Sequence, residues 1–291
     1  MLPPLFAVHL SDGVVTWPWI LGGFALAVTL IALSLFRISD EEIPRIGMLS
    51  AAIFIGSQIH FHLGITSVHL LLNGLAGVLL GKRSTLAIAV GLTLQAVLFG
   101  HGGKWTWGLN VCILSLPALL AGVSFTPLYR GLAALPSAIR FICLSAIFAF
   151  CLTLTTMAVQ LVTWKINGEH ARERLENVSN IWVTQPAIIL LLVVIAIGVS
   201  ALSMRHRRTD AFTAGLLLGL LTGVMTVSLN SLTILLGGID GVRATAAIAF
   251  LAHVPVMVME ALGVATIVAY LMRVKPEWLI GHRVESPGGT G

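Results

Sequence analysis

The sequence predicts an all-α membrane protein, a polytopic bundle of about eight or nine membrane-spanning helices. Of its 291 residues, 57% are hydrophobic and only 10% are charged, whereas about a quarter of the residues in a soluble domain are charged. No stretch is polar enough to form a separate soluble domain. We therefore expect one transmembrane domain over residues 1–277 in the cell membrane, followed by a flexible cytoplasmic tail over residues 278–291.

The apolar segments give the order of the spans, because a helix of about 20 residues crosses the bilayer core. We expect nine spans, of which the second and third are short. The count falls to eight if the third is re-entrant or buried within the protein. The spans are Trp17–Phe36, Pro44–Ile59, Ser67–Leu80, Ser84–Phe99, Gly108–Phe125, Ser137–Trp164, Gln185–Met204, Ala211–Leu229 and Ala244–Met272. The polar segment Lys165–Thr184 is expected to form a solvated outer helix.

The basic residues predict the orientation of these spans. When the loops alternate between two sides, most Lys and Arg residues fall on one side, which is the cytoplasmic side by the positive-inside rule. The N-terminus is then outside and the C-terminus inside. The rich side has Arg37, Arg45, Lys82, Arg83, Arg130, Arg140, Arg205, Arg207, Arg208, Arg273, Lys275 and Arg283, and the poor side has Lys104, Lys165, Arg172, Arg174 and Arg243.

The histidines that this layout brings to the outer side next to the early spans are His9, His60, His62, His69 and His101. Imidazole is a suitable ligand for nickel, copper, zinc and cobalt. His69 lies in an apolar segment, where an ionisable residue is a functional candidate, although a hydrogen-bonded core histidine is the alternative. His60 and His62 are two residues apart, so both rings face one way if the backbone is extended. We therefore expect a transition-metal site at the outer face.

Other polar residues have structural alternatives. The turn Gly100–Gly103 either lets the backbone approach an ion or only connects two helices. His253 and Glu260 are two helical turns apart on one helix face, where they could pair or support the site. Asp12-Gly13 is either a cap or a turn that opens the first helix or, in an enzyme, Asp12 is a general base near the metal.

The sequence lacks a complete phosphate-binding loop. The segment that ends at Gly81-Lys82-Arg83 has Ala76 in place of the first glycine and Arg83 in place of the Ser or Thr. We therefore expect no ATP hydrolysis by the chain itself, no catalytic residues and no resident cofactor.

Four segments of the sequence carry a family resemblance. They are His9-Leu10-Ser11-Asp12-Gly13, Thr66-Ser67-Val68-His69-Leu70-Leu71, Gln95-Ala96-Val97-Leu98-Phe99-Gly100-His101-Gly102-Gly103 with Gly108-Leu109-Asn110, and His253-Val254-Pro255-Val256-Met257-Val258-Met259-Glu260-Ala261. Together they resemble the metal-binding membrane subunits of cobalt and nickel energy-coupling-factor transporters, the CbiM/NikM family. The resemblance covers residues 8–127 and 244–277, whereas residues 165–229 match less well and are expected to hold extra helices.

The resemblance implies a substrate-capture subunit that works with a transmembrane coupling protein and two cytoplasmic ATPases. Its substrate would be Co²⁺ or Ni²⁺, with Zn²⁺ possible, and nucleic acid would not be a partner. Small residues four apart on the first span, Gly23 and Ala27, would then contact the coupling protein.

The resemblance also implies a ligand set. In the family, the ion is held by the N-terminal amine, by the backbone nitrogen and imidazole of a histidine at the second position, and by the histidine of the Thr-Ser-x-His-Leu motif. The matching residues are His9 and His69, but His9 is the ninth residue. Either cleavage between Ala7 and Val8 restores the second position, or the candidates His60, His62 and His101 supply the missing ligands.

Two other classes of protein stay open from the residues alone. A self-sufficient secondary transporter favours carboxylates in mid-membrane and an inverted repeat. A membrane metalloenzyme would use a metal-activated water and a neighbouring general base.

Overall fold

A computed structural model of the chain describes residues 9–63, 66–100, 102–150, 209–239, 242 and 246–280. The helices in this part are α1 Trp17–Leu35, α2 Glu42–Gly56, α3 Asn73–Leu80, α4 Ser84–Phe99, α5 Trp107–Ala134, α6 Ser137–Phe150, α7 Thr209–Gly237, α8 Ala246–Val274 and α9 Glu277–Ile280. An antiparallel hairpin, with β1 at His60–Leu63 and β2 at Thr66–His69, lies between α2 and α3.

The structure confirms the all-α membrane bundle. Five helical segments in the described part are long and apolar enough to cross a membrane when α3 and α4, Asn73–Phe99, are counted as one segment. The helix α4 has the predicted limits, and α1 ends one residue earlier than predicted. The helix α5 is longer than expected and continues through Pro117 and Pro127. The expected span Gln185–Met204 and the segment Lys165–Thr184 lie outside the described residues.

The third expected span is not one helix. Thr66–His69 is a strand, and the helix begins only at Asn73. Thr and Val favour extended backbone because their branched side chains fit a pleated strand. The remaining helix α3 has eight residues and is therefore about 12 Å long, too short to cross a bilayer. Most of its residues are buried, so it is a half-helix enclosed by protein.

Contacts with α5 show the direction of α3. The Asn73 side chain donates a hydrogen bond to the Leu114 carbonyl oxygen, at 3.1 Å. One turn further on, a Cβ atom on Gly77 would collide with the backbone of Ala118. The contacts advance together along both helices, so α3 runs beside α5 in the same direction.

The helix α4 runs the opposite way to α3, beside α2. Arg83, just before α4, bonds to Glu42 at the start of α2, and Phe99 at the end of α4 stacks on Phe54 near the end of α2. The chain therefore reverses at the 3₁₀ turn Gly81–Arg83, where glycine accommodates a φ of 52°.

A buried guanidinium fixes this reversal. Arg83 is only 3% exposed and donates to the backbone carbonyl groups of Ser34, Phe36 and Arg37, while its Nε bonds to Glu42 at 2.9 Å. Carbonyl groups at a helix C-terminus lack partners within the helix, and a cation there is favourable. Arg83 thus joins the end of α1 to the start of α2 and to the turn before α4.

The connections of the bundle gather at two ends. The first, called the histidine end, includes the segment 9–16, the β1–β2 hairpin, the turn 102–106 and the segment 237–239. The Thr16 amide donates to the Gly237 carbonyl at 2.9 Å, and the Ile239 amide donates to the Val14 carbonyl at 3.0 Å. The N-terminal segment is thereby attached to the end of α7.

The opposite end, called the basic end, has the C-termini of α1, α5 and α8 and the N-termini of α2, α6 and α7. Arg140 of α6 forms an ion pair there with Asp210 of α7, at 2.8 Å. Within the described part, the histidine end has Lys104, and the basic end has Arg37, Arg45, Lys82, Arg83, Arg130, Arg140, Arg273 and Lys275.

The small residues on α1 do not form a free surface. A Cβ atom on Gly23 would lie 2.5 Å from the side chain of Leu109, and Ala27 is completely buried. The helix α5 therefore already occupies this face. The expectation that Gly23 and Ala27 contact a coupling protein is wrong, because the close approach is used within the chain.

The ordered C-terminal part continues slightly past the expected domain limit at residue 277. The short helix α9 has its Leu279 side chain buried. The Arg45 guanidinium lies 4.9 Å from the centre of the Trp278 ring. Residues 281–291, the rest of the expected tail, lie outside the described residues.

Candidate metal centre

The structure brings His9 and His69 together. Their ring centres are 4.8 Å apart, and the ring planes are inclined by 39°. Both side chains are buried, with 3% and 1% of their surface exposed. The two histidines come from separate segments, the chain before α1 and the end of β2, so the tertiary structure creates the pair.

Hydrogen bonds to the Leu10 backbone hold the neighbouring residue, His9, in place. The Leu10 amide donates to Asn110 Oδ1 at 2.8 Å, and Asn110 Nδ2 donates back to the Leu10 carbonyl at 3.0 Å. The same carbonyl accepts the Thr106 hydroxyl at 2.6 Å and the Gly103 amide at 3.1 Å. Four hydrogen bonds thus fix the residue next to His9 against the start of α5.

Asp12 and Gly13 form the expected turn before α1, but the Asp12 carboxylate bonds to the turn before α5 and does not cap α1. It accepts the backbone amides of Lys104 at 2.9 Å, Trp105 at 2.8 Å and Thr106 at 3.2 Å. Backbone amides in a turn lack the partners that a helix or a strand provides, and the carboxylate accepts all three. Asp12 therefore attaches the N-terminal segment to α5 and is already engaged with three donors.

The glycine-rich turn makes this attachment possible. Gly102 has a φ of 76°, and a Cβ atom on it would lie 3.6 Å from the His9 Cβ. A Cβ atom on Gly103 would collide with Asp12 and with the Thr106 hydroxyl. The turn connects α4 to α5, as expected, and its backbone closely approaches the N-terminal segment.

The His69 imidazole is oriented by the next residue along the chain. His69 Nδ1 lies 3.0 Å from the Leu70 carbonyl oxygen. A carbonyl oxygen only accepts, so Nδ1 carries a proton and donates it. In the neutral ring with this tautomer, Nε2 is the nitrogen that carries the lone pair for a metal ion.

The segment after His69 is held by three helices. The buried Glu260 carboxylate of α8 accepts the amides of Leu71 and Leu72. The Asn73 side chain, which is completely buried, donates to the Leu114 carbonyl of α5 and to the Thr226 hydroxyl of α7 at 2.8 Å. The position of His69 therefore depends on how α5, α7 and α8 pack.

Asn73 and Asn110 hold the site, although no sequence motif assigns a function to either residue by itself. Both are amide side chains inside otherwise apolar helices. Burial of an amide costs free energy unless it is hydrogen-bonded. An amide side chain in an apolar helix could therefore have identified both residues from the sequence, because each one needs hydrogen-bond partners inside the protein.

Glu260 was expected to pair with His253 of the same helix, but its hydrogen-bond partners are on another segment. A separation of seven residues places His253 about 10 Å along the axis of α8 from Glu260. The carboxylate instead bonds to the amides of Leu71 and Leu72. His253 itself is buried on the same helix.

The other candidate ligands are only partly described. His60 is the partner of His69 in the hairpin register, and His62 is the partner of Ser67. The extended backbone expected for the His60–His62 pair is present, but their side chains and His101 lie outside the described part. In the part that the structure describes, no three His, Cys, Asp or Glu side chains are grouped as a metal site.

Comparisons with known proteins identify the family of the chain. The family model described as "CbiM: Cobalt uptake substrate-specific transmembrane region" matches residues 9–199 and 180–278. A "Putative metal transport protein" of Haemophilus influenzae is 42% identical over 118 residues, which is 40% of this chain and 57% of that protein. The chain thus spans little more than half the length of this relative.

Two further relatives are more distant. A "Putative fused nickel transport protein NikMN" of Archaeoglobus fulgidus is 30% identical over 40% of each chain. A "Cobalt transport protein CbiM" of Geobacter sulfurreducens is 30% identical over 41% of this chain and 37% of that protein.

Solved structures share the fold. A crystal structure described as a truncated transition metal transporter aligns with a TM-score of 0.51 at 15% identity, over 91% of this chain and 99% of the other. Another, described as a transition metal transporter, aligns with a TM-score of 0.52 at 16% identity, over 94% and 96%. The chain is a multi-pass membrane protein, and because the family model matches most of it, the chain belongs to the CbiM family of cobalt uptake substrate-specific transmembrane regions.

Proposed function

We propose that this chain is the substrate-binding membrane subunit of an ATP-driven importer of Co²⁺ or Ni²⁺, and that His9 and His69 bind the ion. The observation that carries the proposal is the pair of buried imidazole rings with centres 4.8 Å apart. Imidazole nitrogens bind such ions at about 2 Å, so two ligating rings must approach to within a few ångströms of each other. The His9–His69 pair meets this requirement.

The surrounding carboxylates favour a transition metal over a hard cation. Asp12 bonds to three amides at the start of α5, and Glu260 bonds to two amides before α3. Both carboxylates are thus engaged with backbone amides, so the ligands offered by the His9–His69 pair are imidazole nitrogens. Imidazole suits cobalt, nickel and zinc, whereas magnesium and calcium prefer carboxylate oxygen. The engagement of Asp12 also counts against its use as the general base of an enzyme.

The hairpin supports His60 as a further ligand. Directly opposite residues in an antiparallel pair have Cα atoms about 5 Å apart, and His60 is opposite His69. We propose His60 first, with His62 and His101 as the remaining candidates. The alternative, cleavage between Ala7 and Val8 to free an amine near His9, falls on residues outside the described part.

The partners proposed are a transmembrane coupling protein and two cytoplasmic ATPases. The sequence has no complete phosphate-binding loop, so separate subunits would supply ATP hydrolysis. The basic end of the bundle would face the cytoplasm, because positively charged residues are enriched on that side of membrane proteins. The histidine end would then face outward, from where the ion is captured.

The orientation can be tested with single cysteines at the two ends of the bundle. In a variant without Cys112, Cys143 and Cys151, we expect Lys104→Cys to react with a membrane-impermeant maleimide added to intact cells. Lys275→Cys should react only after permeabilisation, because it lies at the basic end. Labelling of both positions from the same side, or with the sides exchanged, would contradict the orientation.

Metal affinity tests the proposed function directly. We expect the purified protein in lipid nanodiscs to bind Co²⁺ and Ni²⁺ at least about 100-fold more tightly than Mg²⁺ by isothermal titration calorimetry, with Zn²⁺ closer to Co²⁺. The matched control is the double variant His9→Ala/His69→Ala, which should lose this preference. Equal affinity of the parent for Mg²⁺ and Co²⁺ would reject the function.

A further inference from the structure

Glu260 is a buried acid inside an apolar helix. It is only 4% exposed, and its Oε1 accepts the amides of both Leu71 and Leu72, the latter at 2.9 Å. An ionisable side chain within a membrane domain is costly and therefore has a specific task. Its two partners are residues 71 and 72, immediately beyond the His69–Leu70 contact.

Leu72 needs such a contact. Its φ of 54° is in the left-handed region, which a bulky non-glycine residue rarely adopts. A strained residue of this kind persists only where its surroundings fix it. Leu72 is also the N-cap of α3, and its own backbone amide donates to Glu260 of α8, which attaches this strained residue to that helix.

A single peptide unit connects Glu260 to the imidazole. The Leu70 carbonyl and the Leu71 amide belong to one planar, rigid group. Glu260 accepts the N–H of this group, while His69 Nδ1 donates to its oxygen at 3.0 Å. Rotation of the plane would break both bonds, so the carboxylate and the ring constrain each other.

We propose that Glu260 is the positioning residue of His69. Its carboxylate holds the Leu70–Leu71 peptide plane, and this plane fixes the rotation and the tautomer of the imidazole so that Nε2 faces the metal. The inference rests on the proposed function for its effect on metal affinity. Groups that orient a metal-binding histidine contribute about 10- to 100-fold to affinity. The role needs an acceptor at one position rather than a negative charge.

Three substitutions separate position from charge. Glu260→Gln keeps an acceptor oxygen in place without charge, Glu260→Asp keeps the charge but withdraws the acceptor by one methylene, and Glu260→Ala removes the group. We expect Co²⁺ affinity to fall about 10- to 100-fold in the Asp and Ala variants and to stay within about threefold in the Gln variant. Thr266→Ala, at an exposed position of α8, is the control and should keep the parent affinity.

A readout in the absence of metal tests the inference independently. The ¹⁵N shifts of labelled histidine, assigned to His69 by comparison with His69→Ala, distinguish the two ring tautomers. We expect the Nδ1–H tautomer in the parent and in Glu260→Gln, and a mixture in Glu260→Asp and Glu260→Ala. Should Glu260→Ala fail to fold, the Asp and Gln variants still give the decisive contrast.

The outcomes separate the two proposals. If the parent binds no Co²⁺, the proposed function is wrong, and the tautomer measurement alone decides the role of Glu260. If Glu260→Asp keeps the parent tautomer and affinity, the positioning role is wrong. It is equally wrong if Glu260→Gln loses as much as Glu260→Asp, because charge would then be the property that matters.

Discussion

Replacement of His69 by alanine is expected to abolish tight binding of Co²⁺ and Ni²⁺ while the protein stays folded. His69 is one of the two buried imidazoles that meet at the histidine end. Loss of a direct ligand should exceed the roughly 10- to 100-fold cost of a change in a supporting group. The fold should survive because the bonds from Glu260 to the Leu71 and Leu72 amides do not involve the His69 side chain.

The measurement is Co²⁺ titration of the purified variant, with its thermal unfolding midpoint as the check on folding. Ser50→Ala is the matched control, because Ser50 is buried in α2 and its hydroxyl donates to the Ile46 carbonyl of the same helix. This control should bind metal like the parent. Near-parental affinity in a folded His69→Ala protein would reject His69 as a ligand.

Replacement of Asn110 by leucine is expected to weaken both the N-terminal attachment and metal binding. The side chain makes two hydrogen bonds to the Leu10 backbone, and leucine of similar size makes neither. The Leu10 amide is then buried without this acceptor, a loss of about 1–3 kcal/mol in stability. Since Leu10 adjoins His9, we expect Co²⁺ affinity to fall about 10- to 100-fold, as for other supporting groups.

Calorimetry and the unfolding midpoint together identify this effect. The control is Cys112→Ala, on the same helix, which contacts the Gly23 carbonyl rather than Leu10. It should shift the midpoint without a loss of affinity. If Asn110→Leu lowers the midpoint but leaves Co²⁺ affinity unchanged, Asn110 stabilises the fold and does not position His9.

The sequence by itself determined the membrane class, the limits of α1, α4 and α8 to within two residues, and the candidate histidines. The limits of α4 agree residue for residue with the apolar segment Ser84–Phe99. Such limits are local, because an apolar run of sufficient length is driven into the bilayer wherever the rest of the chain lies. His9 and His69 were likewise identifiable from their motifs, since an imidazole in an apolar setting is unusual.

Only the tertiary structure decided what holds those histidines. The sequence placed Asp12 in a turn or cap before α1, yet its carboxylate bonds to the distant turn before α5. It expected a helix from Ser67, yet a strand, a left-handed Leu72 and a half-helix occupy that stretch. Each outcome depends on hydrogen bonds between residues far apart in the chain. Local propensity cannot predict these bonds, because they form only where packing excludes water and brings a donor and an acceptor from different helices together.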